Sequence, residues 1–256
     1  MPRKTSIHVP TAAGRAALAE LGQVSWDDLD HAYGRGKVGP ALHEDVEAAL
    51  RRLGDANRDV AEEGLDALWS NICHQGTIYE ATAHAVPFLA ALAAGPELPP
   101  RIRRAAIGLL GSITLASSFE TRDGTSAGSF GEGVAEATVE ALRVSEPYLV
   151  AVGGLSPALS ELAREILVVA RADPPRRDDL DHVLELIDAL EEAADEPEER
   201  WAAADSGPPR RFRHPKLGVG TLIREEPKGL RLRFEDGAER LILASFLTEI
   251  DETEAP

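Results

Sequence analysis

The residues of this chain best suited to chemistry sit together between Asn71 and Leu89, in "NICHQGTIYEATAHAVPFL". Cys73, His74, Gln75, Tyr79, Glu80 and His84 fall within nineteen residues. Such a set could furnish a thiolate–imidazole pair for nucleophilic attack, or the ligands of a metal ion. Spacing argues against both. Cys73 and His74 are adjacent, so their side chains diverge and no nucleophile–base pair is implied. His74 and His84 stand ten residues apart with no acidic or Cys partner at ligand spacing, which argues against zinc. Cys73 is the single cysteine, so a Cys-rich metal site and an internal disulfide are excluded. No cofactor is expected.

The same stretch has a plain architectural reading. Thr77 and Glu80 stand in the order T-x-x-E before an apolar run, the pattern of a capping box, with Thr77 as the cap and Glu80 reaching back. Gly76 gives the preceding turn its freedom. Pro87 falls inside the helix that follows, where it removes one backbone hydrogen bond and kinks the axis. On this reading His74, Gln75, Tyr79 and Glu80 form a hydrogen-bonded polar ladder along one edge of a helical array, and Trp69 packs between repeats.

The elements around the stretch are mostly helical by period. Helices are expected from Pro40 to Leu53, Asp59 to Cys73, Ile78 to Ala94, Arg101 to Ala116, Val134 to Val144, Pro157 to Arg171 and Asp178 to Ala194. In the last, Leu180, Val183, Leu184, Ile187 and Leu190 make an i, i+3, i+4, i+7 stripe. Residues 1–39 read as a lead-in segment, with one short helical turn near "SWDDLDHAYG" capped by Ser25. Ser117–Gly133 reads as a long Ser/Gly-rich loop. None of the seven helices carries enough apolar surface to be buried on all sides, so each must stack on neighbours. That points to a mainly α chain with an α-solenoid over residues 40–194; a closed helical bundle is the alternative, but seven short helices in series suit stacking better.

Asp195–Pro209 is an acidic, then Pro/Gly-rich, linker. Beyond it the period changes from 3.6 to 2. "LRLRF" (Leu230–Phe234) alternates strictly, with Arg231 and Arg233 opposite the apolar positions. "GVGTLI" and "ERLILAS" read as further strands, with "EEPKG" and "EDG" as turns. A small all-β, SH3-like barrel is expected over 210–250, ahead of an acidic tail at 251–256. Alternation assigns Phe234 to its core with Leu230 and Leu232.

Charge is unevenly placed. The chain carries 27 Lys/Arg and 44 Asp/Glu, a net −17. Residues 207–256 hold nine of each sign, so the whole excess lies in residues 1–206. An acidic body repels nucleic-acid backbones and favours basic partners, or keeps the chain soluble. The acid-rich helix "RDDLDHVLELIDALEE" could line a groove for a basic partner or simply face water. In the β segment Arg211, Arg213, His214 and Lys216 form a basic cluster, with Arg231 and Arg233 further along. These residues, with Gly218 and Gly220, are candidates for binding, nucleic acid included. Walker-type and Rossmann-type fingerprints are absent. The N-terminus lacks the apolar core of a signal peptide, and no apolar run is long enough to span a membrane. A cytoplasmic protein with no membrane partner is expected.

Two resemblances add to this reading. In Leu68–Leu92, Trp69, His74-Gln75-Gly76-Thr77, Tyr79-Glu80-Ala81-Thr82 and Val86-Pro87-Phe88-Leu89 resemble the signature of a large bacterial family of HEAT-repeat proteins. The resemblance implies a HEAT-type α-solenoid that holds partners, and it supplies no catalytic residues. Phe212–Ile250 is similar to the Tudor-like barrel that ends bacterial superfamily 1 DNA helicases. Its hallmark His-Pro-Lys-Phe-Gly-x-Gly-x-Val stands here as His214 to Leu222, with Leu217 for Phe and Leu222 for Val. Such barrels resemble modules that grip proteins, RNA polymerase among them, and sometimes nucleic acid. The expectation is a non-enzymatic scaffold, in one version an immunity or antitoxin-type protein holding a basic partner. The alternative is a nucleic-acid- or polymerase-associated adaptor acting through the barrel. An enzyme on a HEAT scaffold, such as a base-excision glycosylase, needs a basic groove, which the acidic charge argues against.

Overall fold

A computed structural model describes residues 6–35, 45–118, 128–192, 211–215, 217–226, 229–234, 239–242 and 248–250. The chain divides into two compact units, Met1–Asp205 and Ser206–Pro256. Pro40 and Leu42, most of the Ser117–Gly133 loop, the 195–209 linker, Lys216 and the tail lie outside the described residues.

The first unit is mainly helical. Its eight described α-helices are α1 (Val46–Leu53), α2 (Arg58–Ile72), α3 (Glu80–Ala93), α4 (Pro100–Ser118), α5 (Val134–Val144), α6 (Glu146–Leu155), α7 (Pro157–Arg171) and α8 (Arg177–Glu192). Short polar residues start the first two. Asp45 Oδ1 accepts from the Ala48 N–H at 3.1 Å, and Asn57 Oδ1 accepts from the Asp59 N–H at 2.9 Å. Pro100 and Pro157 open α4 and α7, where the missing N–H costs nothing. The α3–α4 turn is held by Arg103, whose buried guanidinium donates to the carbonyls of Ala93, Gly95 and Leu98 at 2.9–3.1 Å. The cation there satisfies the last carbonyl of α3 and two carbonyls of the turn that follows.

Helix α6 goes beyond the seven expected helices. Its sequence "EPYLVAVGGL" is apolar on several sides and has two glycines near its end, so it shows no stripe and carries a breaker.

The helices pack in two layers. One runs α1, α3, α5 and the other α2, α4, then α7 and α8; α1 packs on α2, α3 on α4, and α6 on α7. One expectation fails here. Every residue of α3 from Ala81 to Ala93 is buried, so this helix is enclosed on all sides. The lead-in segment supplies the missing wall. Its 3₁₀ helix Gly14–Gln23, which sequence period did not reveal, packs on α3. Trp26 lies 6.0 Å from the Phe88 ring and donates its indole N–H to the Leu21 carbonyl at 2.9 Å. His8 stacks on Phe88 from 5.9 Å, Glu20 accepts from the Thr11 N–H and hydroxyl, and Tyr148 of α6 donates to the Pro10 carbonyl. Ser25 precedes the short 3₁₀ turn Trp26–Asp28 but makes no side-chain cap.

Two small hairpins complete the unit. Strand β1 (Asp30–His31) pairs with β2 (Gly34–Arg35), and β3 (Cys73–His74) pairs with β4 (Thr77–Ile78).

The second unit is one antiparallel sheet of β5 (Arg211–His214), β6 (Gly218–Glu226), β7 (Gly229–Phe234), β8 (Glu239–Ile242) and β9 (Thr248–Ile250), in the order β8-β7-β6-β5-β9. Among the described residues the edge strands β8 and β9 do not pair, so the sheet is open where a closed barrel was expected. The described parts of these edges are four and three residues long. Phe212, Leu232 and Phe234 form the buried cluster, with Leu230 and Ile242 against it. No helix among the described residues is long and apolar enough to cross a membrane.

Candidate partner-binding site at the 73–78 hairpin

The "HQGT" stretch folds as a two-residue hairpin. Cys73 pairs with Ile78 and His74 with Thr77, and the turn between them is Gln75-Gly76. Both turn residues have positive φ, 51° and 76°. That is the geometry of a primed turn, which matches strand twist and which glycine adopts without strain. Strand alternation then sorts the side chains. Cys73 and Ile78 point into the core, while His74, Thr77 and Tyr79 stay half-buried.

This sorting settles the chemistry of the cysteine. Burial pushes the Cys73 thiol up to about 11. Such a thiol stays protonated at neutral pH and is a poor nucleophile. His84, 5% exposed, is held below the usual imidazole range by burial, with Glu80 pulling weakly the other way. His84 Nδ1 and Asn71 Oδ1 are buried without a hydrogen-bond partner, although Asn71 Nδ2 donates to the Ala67 carbonyl at 2.7 Å. Among the described residues no group of three His, Cys, Asp or Glu side chains could hold a metal ion.

The expected capping box at Thr77 and Glu80 does not form. Helix α3 begins at Glu80 with Tyr79 as its cap residue, because Thr77 and Ile78 are committed to the hairpin ladder. Thr82, not Glu80, reaches back to the cap residue. Its hydroxyl accepts from the Tyr79 N–H at 2.9 Å and donates to the Ile72 carbonyl at 2.6 Å, joining the end of α2 to the start of α3. Glu80 instead turns toward the lead-in segment. Its carboxylate accepts from the Asp30 N–H at 3.3 Å, which fixes the β1–β2 hairpin to α3. The Ala32 N–H donates to the Asn71 carbonyl at 3.0 Å and completes that joint.

The expected polar ladder is therefore replaced by an aromatic face. His74 packs at a tilt against Tyr33 of the β1–β2 turn, with centroids 5.8 Å apart. Tyr79 packs at a tilt against Phe130 at 5.9 Å. Phe130 is brought there by a parallel bridge, in which the Ile78 N–H donates to the Gly128 carbonyl and the Phe130 N–H donates to the Ile78 carbonyl. Burial raises the Tyr79 phenol above its ordinary range, with Cys73 and Tyr33 adding to the shift. Gln75 and Gly76 are exposed at the tip, Trp69 packs partly buried against the core, and Pro87 is buried within α3. Sequence reasoning missed Tyr33 and Phe130. Each is a lone aromatic among Gly and polar residues, in segments read as a helical turn and a loop, and that isolation was the available signal.

The β candidates are arranged by register. Rows of Cα partners run Ile250–Arg211–Thr221–Arg233–Glu239 and Glu249–Phe212–Gly220–Phe234. Positions 211, 213, 231 and 233 therefore share the face opposite Phe212, Leu232 and Phe234. Of their side chains, Arg213 is described and exposed. His214 Nδ1 accepts from the Leu217 N–H at 3.2 Å, Gly218 takes φ +81°, and Gly220 lies between the two phenylalanines in register. Arg240 lies over the Phe234 ring at 5.4 Å.

No protein-family model, curated protein or solved structure matches the chain.

Proposed function

We propose that this chain is a non-enzymatic scaffold that holds a basic protein on its acidic helical unit. The observation that carries the reading is the confinement of charge. Residues 1–206 hold 18 Lys/Arg against 35 Asp/Glu, while residues 207–256 are balanced. A surface potential of one sign speeds capture of an oppositely charged partner and rejects like-charged ones. The two-layer stacking of α1–α5 with α7 and α8 supports a HEAT-type solenoid, the scaffold that the "HQGTIYEAT" resemblance implies. Cys73, the one thiol, is turned into the core, which suits holding better than chemistry. An immunity or antitoxin-type protein that neutralises a basic toxin is the concrete form of this reading.

A second reading has its own observation. The register puts four arginine positions on one sheet face, and the order β8-β7-β6-β5-β9 suits an SH3- or Tudor-like module. A nucleic-acid- or polymerase-associated adaptor would use that face.

Full-length chain immobilised in nuclease-treated lysate separates the two. A basic protein should be retained and should elute as salt rises from about 0.05 to about 0.5 M, because screening shortens the reach of the acidic field. Retention unaffected by salt would falsify the acidic-scaffold reading. Retention of polymerase subunits, lost in the Arg213→Glu variant, would transfer the function to the sheet.

A further inference from the structure

The hairpin face is more specific than diffuse acidity requires. Tyr33, His74, Tyr79 and Phe130 come from three separate segments and meet as two tilted ring pairs at the hairpin. Phe130 is 64% and Tyr33 38% exposed, so this strip of rings is open to solvent at both ends. Carboxylates lie beside its Tyr33 end. Asp28, Asp30 and Glu80 lie around the Arg35 guanidinium on the Tyr33 side, and Glu132 follows two residues after Phe130. Among the described residues of segments 26–35, 73–80 and 128–136, Arg35 is the only Lys or Arg. It is engaged by Asp30 at 2.9 and 3.0 Å.

We infer that this strip is where the basic partner docks, and that it takes arginine side chains of that partner between its aromatic faces and the nearby acids. A guanidinium is planar and weakly hydrated, so it stacks on an aromatic face while its edge donates to carboxylates. A lysine ammonium, compact and strongly hydrated, gains less from the same surface. The charge of the unit sets the sign of the occupant, and the exposed rings set its type. The inference rests on the acidic-scaffold reading and adds to it a location and a preference for arginine.

An arginine-rich peptide and its lysine-for-arginine counterpart, titrated calorimetrically into the full chain, provide the test. The arginine peptide should bind more tightly. The Tyr33→Ala/Phe130→Ala variant should lose about tenfold or more in affinity for it while keeping the same salt dependence, since two ring contacts disappear and no charge changes. Tyr33→Leu/Phe130→Leu, which keeps apolar area and removes the π faces, should show the same loss if the alanine variant melts early. Equal, salt-sensitive affinity in wild type and both variants would sink the strip and leave the acidic scaffold standing. Absence of salt-sensitive binding in the wild type would sink both. A wild-type dimer abolished by Phe130→Ala would make a second copy the occupant and overturn the inference.

Discussion

In the helical unit, α3 is walled in by α1, α4, α5 and the lead-in 3₁₀ helix, and Phe88 at its centre touches both His8 and Trp26. In the sheet unit the described core comes down to Phe212, Leu232 and Phe234. The two regions show how differently one ring can matter. A ring removed from a large core leaves a cavity that neighbours partly absorb. In a unit of about fifty residues, the same loss is comparable with the whole stability.

That contrast can be broken directly. Phe88→Ala and Phe234→Ala should each remove about 3–5 kcal/mol. By urea denaturation, the first should lower the midpoint of the helical transition while leaving that unit folded in water. The second should abolish the sheet transition altogether. A sheet that still unfolds cooperatively after Phe234→Ala would show that its stability comes from residues beyond the cluster.

A smaller effect sharpens the contrast within the helical unit. Thr82→Val keeps the side-chain volume but strands the Ile72 carbonyl and the Tyr79 N–H at the α2–α3 joint. The expected cost is about 1–3 kcal/mol, read as a lower thermal midpoint with unchanged helix content. A loss no larger than that of an exposed Thr11→Val control would place the strength of the joint elsewhere.

The smallest effect is one of pH. His84 is held neutral by burial, so its folded pKa lies below the ordinary value near 6.5. Below that value the unfolded chain takes up a proton that the folded chain resists. Stability is therefore full above about pH 6.5 and is lost as pH falls toward the depressed folded value. The His84→Gln variant should flatten this part of the profile when urea midpoints are compared between about pH 7.5 and 5. Parallel profiles for variant and wild type would show that other groups carry the acid sensitivity.

Much of the helical content is legible in the sequence because burial on one face imposes a 3.6-residue period. The expected range 157–171 coincides with α7, and 134–144 with α5. The exceptions have physical causes. Helix α6 is apolar on several sides and so carries no stripe. The start of α3 falls two residues later than its cap pattern suggests, because T-x-x-E fits at Thr77 while the ladder with Cys73 and His74 claims those backbone groups first. The enclosure of α3 is not legible locally, since its wall comes from a 3₁₀ helix whose three-residue turn breaks the helical stripe. In the sheet, strict alternation assigns Phe234, Leu230 and Leu232 to one face. The open edges are not foreseeable, because closure depends on partners outside any one strand. At the hairpin, the residue types are visible in sequence but their surroundings are not. Tyr33 and Phe130 arrive from about forty residues before and fifty after.

The bond from Tyr148 to the Pro10 carbonyl spans 138 residues of chain. Arrays whose repeats touch only their neighbours can fray from an end, each repeat melting nearly on its own. Here the first described segment is fastened to the sixth helix and to the middle of the third. The N-terminal end is thus tied into the interior and cannot peel away alone. Unfolding of this unit should accordingly be all-or-none, and its formation slowed by a loop that closes only after most of the helices exist.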